Sequence, residues 1–195
     1  MHNRQKLFKQ VLVAIFCAII LVQNIIPFLG YIPIGPLDLT IIHITVVIVA
    51  LILGPWYGAI VGGFWGLVTF IRAFIWPTSP LATIVFVNPL IAILPRILIG
   101  VIAGYTYYFL RSKLKSQFVS MSIAAVLGSL TNTLLVLGQI YLFYRNQSEK
   151  MYSLNVHDLL PYLLGVIGTN GIPEAILAGI MAPVIAIPLL KKMKK

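Results

Sequence analysis

Six residues between positions 88 and 174 have the chemistry to hold a small polar molecule: Asn88, Arg96, Thr131, Asn132, Asn170 and Glu174. An arginine presents a planar, permanently charged fork that matches a carboxylate, an amide both donates and accepts, and a glutamate takes hydroxyl or amide hydrogens. Arg96 lies in "NPLIAILPRILIG", Asn88–Gly100, where one charge and two prolines interrupt an apolar run. Two readings stay open for it. Either Arg96 and Glu174 pair with each other as a structural clasp, or Arg96 grips a substrate carboxylate while Glu174 takes a hydroxyl or amide. The remaining residues also have plain structural readings. Asn88 can cap a helix before Pro89, Glu174 can complement the positive end of a helix behind Pro173, and Thr131 with Asn132 can bridge neighbouring helices. His43 reads as a core hydrogen-bonder, Arg72 as a side chain snorkelling to headgroups, and Tyr31, Trp76 and Phe86 as aromatics of a membrane interface.

Catalysis finds no support in the residue pattern. The chain lacks a nucleophile beside a base, paired carboxylates at catalytic spacing, a metal-ligand cluster and a Gly-rich phosphate loop, so no enzyme, metal or cofactor is expected. Its single cysteine, Cys17, excludes an intrachain disulfide.

The elements that must position these residues are membrane helices. Of 195 residues 60% are hydrophobic and 9% charged, and the mean hydropathy is +1.02, a surface that no soluble domain can bury. Windows near the roughly 20 residues that cross a bilayer as helix number six: Val11–Phe28, Leu39–Leu53, Trp56–Trp76, Pro89–Leu110, Phe118–Tyr144 and Ile172–Leu190. The second and third meet at Gly54-Pro55, which marks a tight turn. The apolar segment Asp158–Gly168 is too short to span; it lies at the interface or lengthens the approach to the last helix. The loops Ile26–Asp38, Pro77–Asn88 and Arg145–His157 are long, and they are expected to be ordered without being regular. The expected fold is all-α: one domain over residues 1–195, a compact bundle of six transmembrane helices.

Lysine and arginine orient it. Arg4, Lys6 and Lys9 precede the first window, Arg111, Lys113 and Lys115 follow the fourth, and Lys191, Lys192, Lys194 and Lys195 end the chain. By the positive-inside rule both termini are cytoplasmic. Outside, Arg145 and Lys150 are balanced by Glu149 and Asp158. The net charge of +10 is then a topology signal and a contact with anionic lipid, not a nucleic-acid footprint. At 1.5 Å per residue Arg96 lies roughly 12 Å inside the outer end of its helix. A charge at such depth costs at least ~2.5–3.5 kcal/mol, so it needs a protein interior and a partner. Arg96, the pair Thr131–Asn132, Asn170 and Glu174 all fall in the outer half of the bundle, the makeup of a polar cavity open to the exterior.

Small residues form a second pattern. Gly58, Gly62 and Gly66 recur every four positions in the third window, as do Ala14 and Ala18 in the first. Such strips bring helix backbones close in lipid, either within the chain or against another subunit; both are counted here as candidate partner surfaces.

Taken in order, "AIFCA", "GPWYGAIVGGFWGLVTFI", "NPLIAILPRILIG" and "GSLTNTLLVLG" resemble the substrate-binding S components of energy-coupling factor (ECF) vitamin transporters over nearly the whole chain, and most of all the pantothenate branch. The resemblance implies a plasma-membrane subunit of an ABC-type importer. It would bind a vitamin at the outer face under the loops after the first and third helices, meet a transmembrane coupling subunit through Ala14 and Ala18, and topple when two ATPase subunits act. Within that picture the residue inventory, one arginine with several amides and one acid, fits pantothenate, which has one carboxylate, an amide and two hydroxyls. Folate and a hydroxymethylpyrimidine-type precursor are the alternatives, and a stand-alone secondary transporter, small channel or scaffold the competing classes.

Overall fold

The chain, seen here as a computed structural model, is described over residues 2–32, 39–77, 82–147 and 156–193. Glu149, Lys150, Lys194 and Lys195, and the proline-rich stretch 33–38, lie outside the described residues. The architecture is almost entirely helical: α1 (His2–Ile25), α2 (Pro27–Gly30), α3 (Ile42–Leu53), α4 (Pro55–Ile75), α5 (Ala82–Val85), α6 (Pro89–Ala92), α7 (Leu94–Leu110), α8 (Gln117–Tyr144), α9 (Val156–Val166) and α10 (Ile172–Met193). The exception is a small antiparallel ladder, β1 (Tyr31–Ile32) with β2 (Leu39–Thr40), in register Tyr31 to Thr40. Leu39 and Thr40, expected inside the second helix, therefore belong to this ladder, and the helix begins at Ile42.

Among the described residues, five helices are long and apolar enough to cross a membrane: Arg4–Ile25, Pro55–Ile75, Pro89–Leu110, Gln117–Tyr144 and Asp158–Met193. The apolar helix α3 is shorter. Its sequence IHITVVIVALIL has no polar stripe, and a helix apolar on every side belongs in a core. Every residue of α3 except Ile52 is buried, in a cluster with Val61 and Trp65 of α4, Ile99 and Ala103 of α7, Met121 and Ala124 of α8, and Ala178 and Ala182 of α10. The helix α1 is the opposite case, with Val11, Ile15, Ile19, Val22 and Ile25 all exposed to what would be lipid.

Gly54 makes the expected turn between α3 and α4. Its φ of 106° lies in the left-handed region open to glycine, and Pro55 starts α4 where no N–H is needed. The α4 glycines pack inside the chain: a Cβ on Gly58 would lie 2.6 Å from that of Ala50 and 3.0 Å from Gly100 Cα, and one on Gly66 2.7 Å from Ile93 Cα. The expectation that Gly58, Gly62 and Gly66 form a docking strip is thereby corrected. They are the close-approach seam between α4 and α7, with Gly100 and Gly104 on the facing side.

The fourth window is broken. Pro89–Ala92 and Leu94–Leu110 meet at Ile93, because Pro95 has no N–H with which to continue the ladder to Ile91. The last window is longer than expected. Of the two readings of Asp158–Gly168, the structure has the second: the segment lengthens the approach to α10, running into it through a π-helical turn, Ile167–Gly171. Pro173 removes the donor that would close the ordinary bond to Thr169, and Ile172 N–H reaches back to the Ile167 carbonyl instead.

Candidate functional site

The break at Pro95 builds the site around Arg96. A proline at position 95 leaves the Ile91 carbonyl without its helical donor, and Arg96 supplies one from its side chain: Nη1 donates to Ile91 O at 2.6 Å. The same guanidinium lies between two rings, 5.2 Å from the centroid of Trp65 and 5.0 Å from that of Phe86. Hydrogen bond and rings together fix the plane of the fork. Only 5% of the residue is exposed. Its Nε is buried with no hydrogen-bond partner among the described residues, a donor in place with nothing yet to receive it.

Glu174 is 7% exposed in the first turn of α10. Its Oε1 accepts from the Thr40 N–H at 2.6 Å. That bond ties the last helix to strand β2 and thus to the start of α3. Arg96 and Glu174 interact through their charges, but each has its hydrogen bond elsewhere. A clasp made by direct hydrogen bonding between the two is not what the structure contains.

On α8, Asn132 is 9% exposed and its Oδ1 is buried without a partner among the described residues. Thr131 is placed differently from expectation: its hydroxyl donates to Leu127 O of the same helix at 2.7 Å, and the residue faces out of the bundle's core. Thr133 is the threonine of this pair that turns inward. Thr133 is buried, its Oγ1 has no partner among the described residues, and its side chain packs where a Cβ on Gly171 would come within 2.8 Å of Cγ2. The π turn carries Asn170, 7% exposed, whose Oδ1 accepts from the Thr169 hydroxyl at 2.9 Å. Asn88 stands apart. It is half-exposed and caps α6, accepting from Leu90 N–H at 3.0 Å.

Two residues of this region were not legible as site residues. Trp65 is 1% exposed with Nε1 unpartnered among the described residues; three glycines within four positions of it were the signal that a large ring fills a close helix contact. His43 is fully buried, and neither ring nitrogen meets hydrogen-bond geometry with any described residue. The backbone of Thr40 and Glu174 lies beside it.

In donor and acceptor terms the arrangement is two-sided. Arg96 and Trp65 offer donors from α7 and α4, while Glu174 and Asn132 offer acceptors from α10 and α8. Among the described residues no three of His, Cys, Asp and Glu converge as a metal site would require.

On α1, Ala14 and Ala18 are exposed. Ala18 belongs to an apolar groove of about 480 Å³ with Ile15, Ile19, Val22, Gln23 and Leu29.

The ECF transporter, substrate-specific component family matches residues 8–186. A pantothenate transporter PanT of Leuconostoc mesenteroides subsp. mesenteroides is 37% identical over 172 residues, covering 85% of this chain and 84% of its own. A pantothenic acid transporter PanT of Lactococcus lactis subsp. cremoris is 34% identical over 197 residues, covering 94% and 93%. Among solved structures, ThiT from Listeria monocytogenes superposes with a TM-score of 0.66 at 18% identity, over 95% of this chain and 98% of that one; it shares the fold. These relatives are transporters rather than enzymes, and with five long apolar helices the chain is a multi-pass protein of the cell membrane. The match over residues 8–186 and the two relatives together place this chain among the substrate-specific components of the ECF transporters.

Proposed function

We propose that the chain captures pantothenate at the outer face of the membrane and hands it inward as the S component of an ECF importer. The observation that carries this reading is the Arg96 guanidinium, held by Ile91 O and two rings while its buried Nε lacks an acceptor. A ligand carboxylate supplies that acceptor. Glu174, Asn132 and Asn170 then face the hydroxyl and amide groups, and a molecule without such groups leaves the buried Asn132 Oδ1 unpaired. The names of the two relatives support the same substrate.

In this reading the bundle crosses the membrane six times with both termini cytoplasmic, α3 counting as a short central span. The β1–β2 end faces outward. Ala14 and Ala18 on the exposed α1 face meet the transmembrane coupling subunit, and two ATPase subunits drive the loaded component to topple.

Isothermal titration of the purified chain with pantothenate tests the substrate, with folate and a hydroxymethylpyrimidine as comparators. Pantothenate is expected to bind alone among the three, and Arg96→Ala to abolish it. A charge-assisted hydrogen bond contributes about 1.5–3 kcal/mol, or roughly one to two decades of affinity. Equal binding by Arg96→Ala would overturn the role of Arg96, and preference for a comparator would overturn the substrate.

A further inference from the structure

We infer that Arg72 is a second, outer carboxylate site, which receives the anion before it reaches Arg96; this rests on the substrate reading above. Arg72 follows Trp65 by seven residues on α4. Seven residues are two turns, so Arg72 lies on the same face about 10 Å further toward the end of the helix. That face is the one whose Trp65 covers Arg96.

The side chain is not free to wander among headgroups, as snorkelling would have it. Its Nε donates to Trp76 O at 3.2 Å, closing the end of its own helix. Its guanidinium lies 5.5 Å from the centroid of the Tyr31 ring. Nη1 is buried with no hydrogen-bond partner among the described residues. Tyr31 ties Arg72 to α1: its ring carries the guanidinium and its hydroxyl donates to Asn24 Oδ1 at 3.3 Å. Two guanidiniums, each held by a backbone carbonyl and an aromatic ring and each with a buried N–H lacking a partner among the described residues, therefore lie against one face of α4, about two turns apart. An anion arriving from outside meets Arg72 first and Arg96 after it. The shared chemistry is an anionic oxygen, which a lipid phosphate also carries, and the test separates the two.

A charge at the rim acts on association, whereas a group at the final site acts on dissociation. Rapid mixing of the full chain with pantothenate, followed by tryptophan emission, gives both rates over a series of ionic strengths. The expected result for Arg72→Gln is an association rate lower by about tenfold, with a flatter dependence on salt and an unchanged dissociation rate. Arg72→Lys, which keeps the charge, is expected to recover most of it. An unchanged association rate in Arg72→Gln would overturn the proposal. So would a loss carried by dissociation at unaltered salt dependence, which marks a packing role. The measurement is made in lipid-free detergent and again in nanodiscs containing anionic lipid; an effect confined to the nanodiscs assigns Arg72 to a headgroup and overturns the outer site. Failure of the wild-type chain to bind pantothenate at all removes the substrate reading instead, and is seen before any variant is compared.

Discussion

Replacing Gly62 by alanine should weaken the ligand site without touching any side chain in it. An added Cβ would lie 2.8 Å from the Arg96 carbonyl carbon and closer still to its oxygen, whereas ordinary van der Waals contact starts at 3.4 Å. The neighbour is backbone and cannot swing away, so α4 and α7 must part by at least about 0.6 Å. Overpacking of this kind costs about 1–3 kcal/mol. If the strain is relieved by moving the Arg96 backbone, pantothenate affinity falls by roughly fivefold to a hundredfold at about 1.4 kcal/mol per decade. Gly63→Ala is the control. Its Cβ meets only the Ile97 side chain, at 3.3 Å and 3.7 Å, and both variants gain the same helix propensity of about 1 kcal/mol. Titration calorimetry and thermal unfolding of the two variants, side by side in one detergent, complete the assay. Wild-type affinity in Gly62→Ala would refute the link between the glycine seam and the arginine.

Three further outcomes follow from particular contacts. Asn88→Ala removes a helix cap worth about 0.5–2 kcal/mol and should lower the unfolding temperature while changing affinity less than about threefold; a large loss of affinity at unchanged stability would make Asn88 a ligand contact. Glu174→Gln keeps the shape but replaces a charge-assisted bond to Thr40 by a neutral one, about 1 kcal/mol weaker, so amide exchange at Thr40 should accelerate; unchanged exchange would show that this bond does not hold the ladder to α10. Ala18→Trp, on the exposed face of α1, should leave ligand binding by the isolated chain intact and abolish uptake by the assembled transporter, and undiminished uptake would remove Ala18 from the coupling surface.

Arg96, Asn132, Asn170 and Glu174 could be read as a group because polar side chains are costly in lipid and must turn inward. The structure buries all four. Asn88 and Thr131 share that polarity but spend it locally, on a cap and on a carbonyl one turn back. Sequence spacing cannot tell these uses apart, since a one-residue step around a helix turns a side chain by about 100°. Thr131 and Thr133 show the consequence: the buried hydroxyl is two positions from the one the pattern suggested.

What the sequence determined by itself is whatever depends on composition and chain-local chemistry. The membrane class follows from hydropathy, most helix limits from windows of apolar residues, and the α3–α4 turn from Gly54-Pro55. Tertiary structure decided the rest, because each of the remaining questions concerns partners distant in the chain. The glycine strip on α4 closes on α7 only once both helices exist. Strand β2 replaces the first turn of a helix because Thr40 finds both Tyr31 and Glu174. Arg96 bonds a backbone carbonyl rather than Glu174 because Pro95 exposes Ile91 O to it, and Trp65 and Phe86 arrive from other elements to flank its guanidinium.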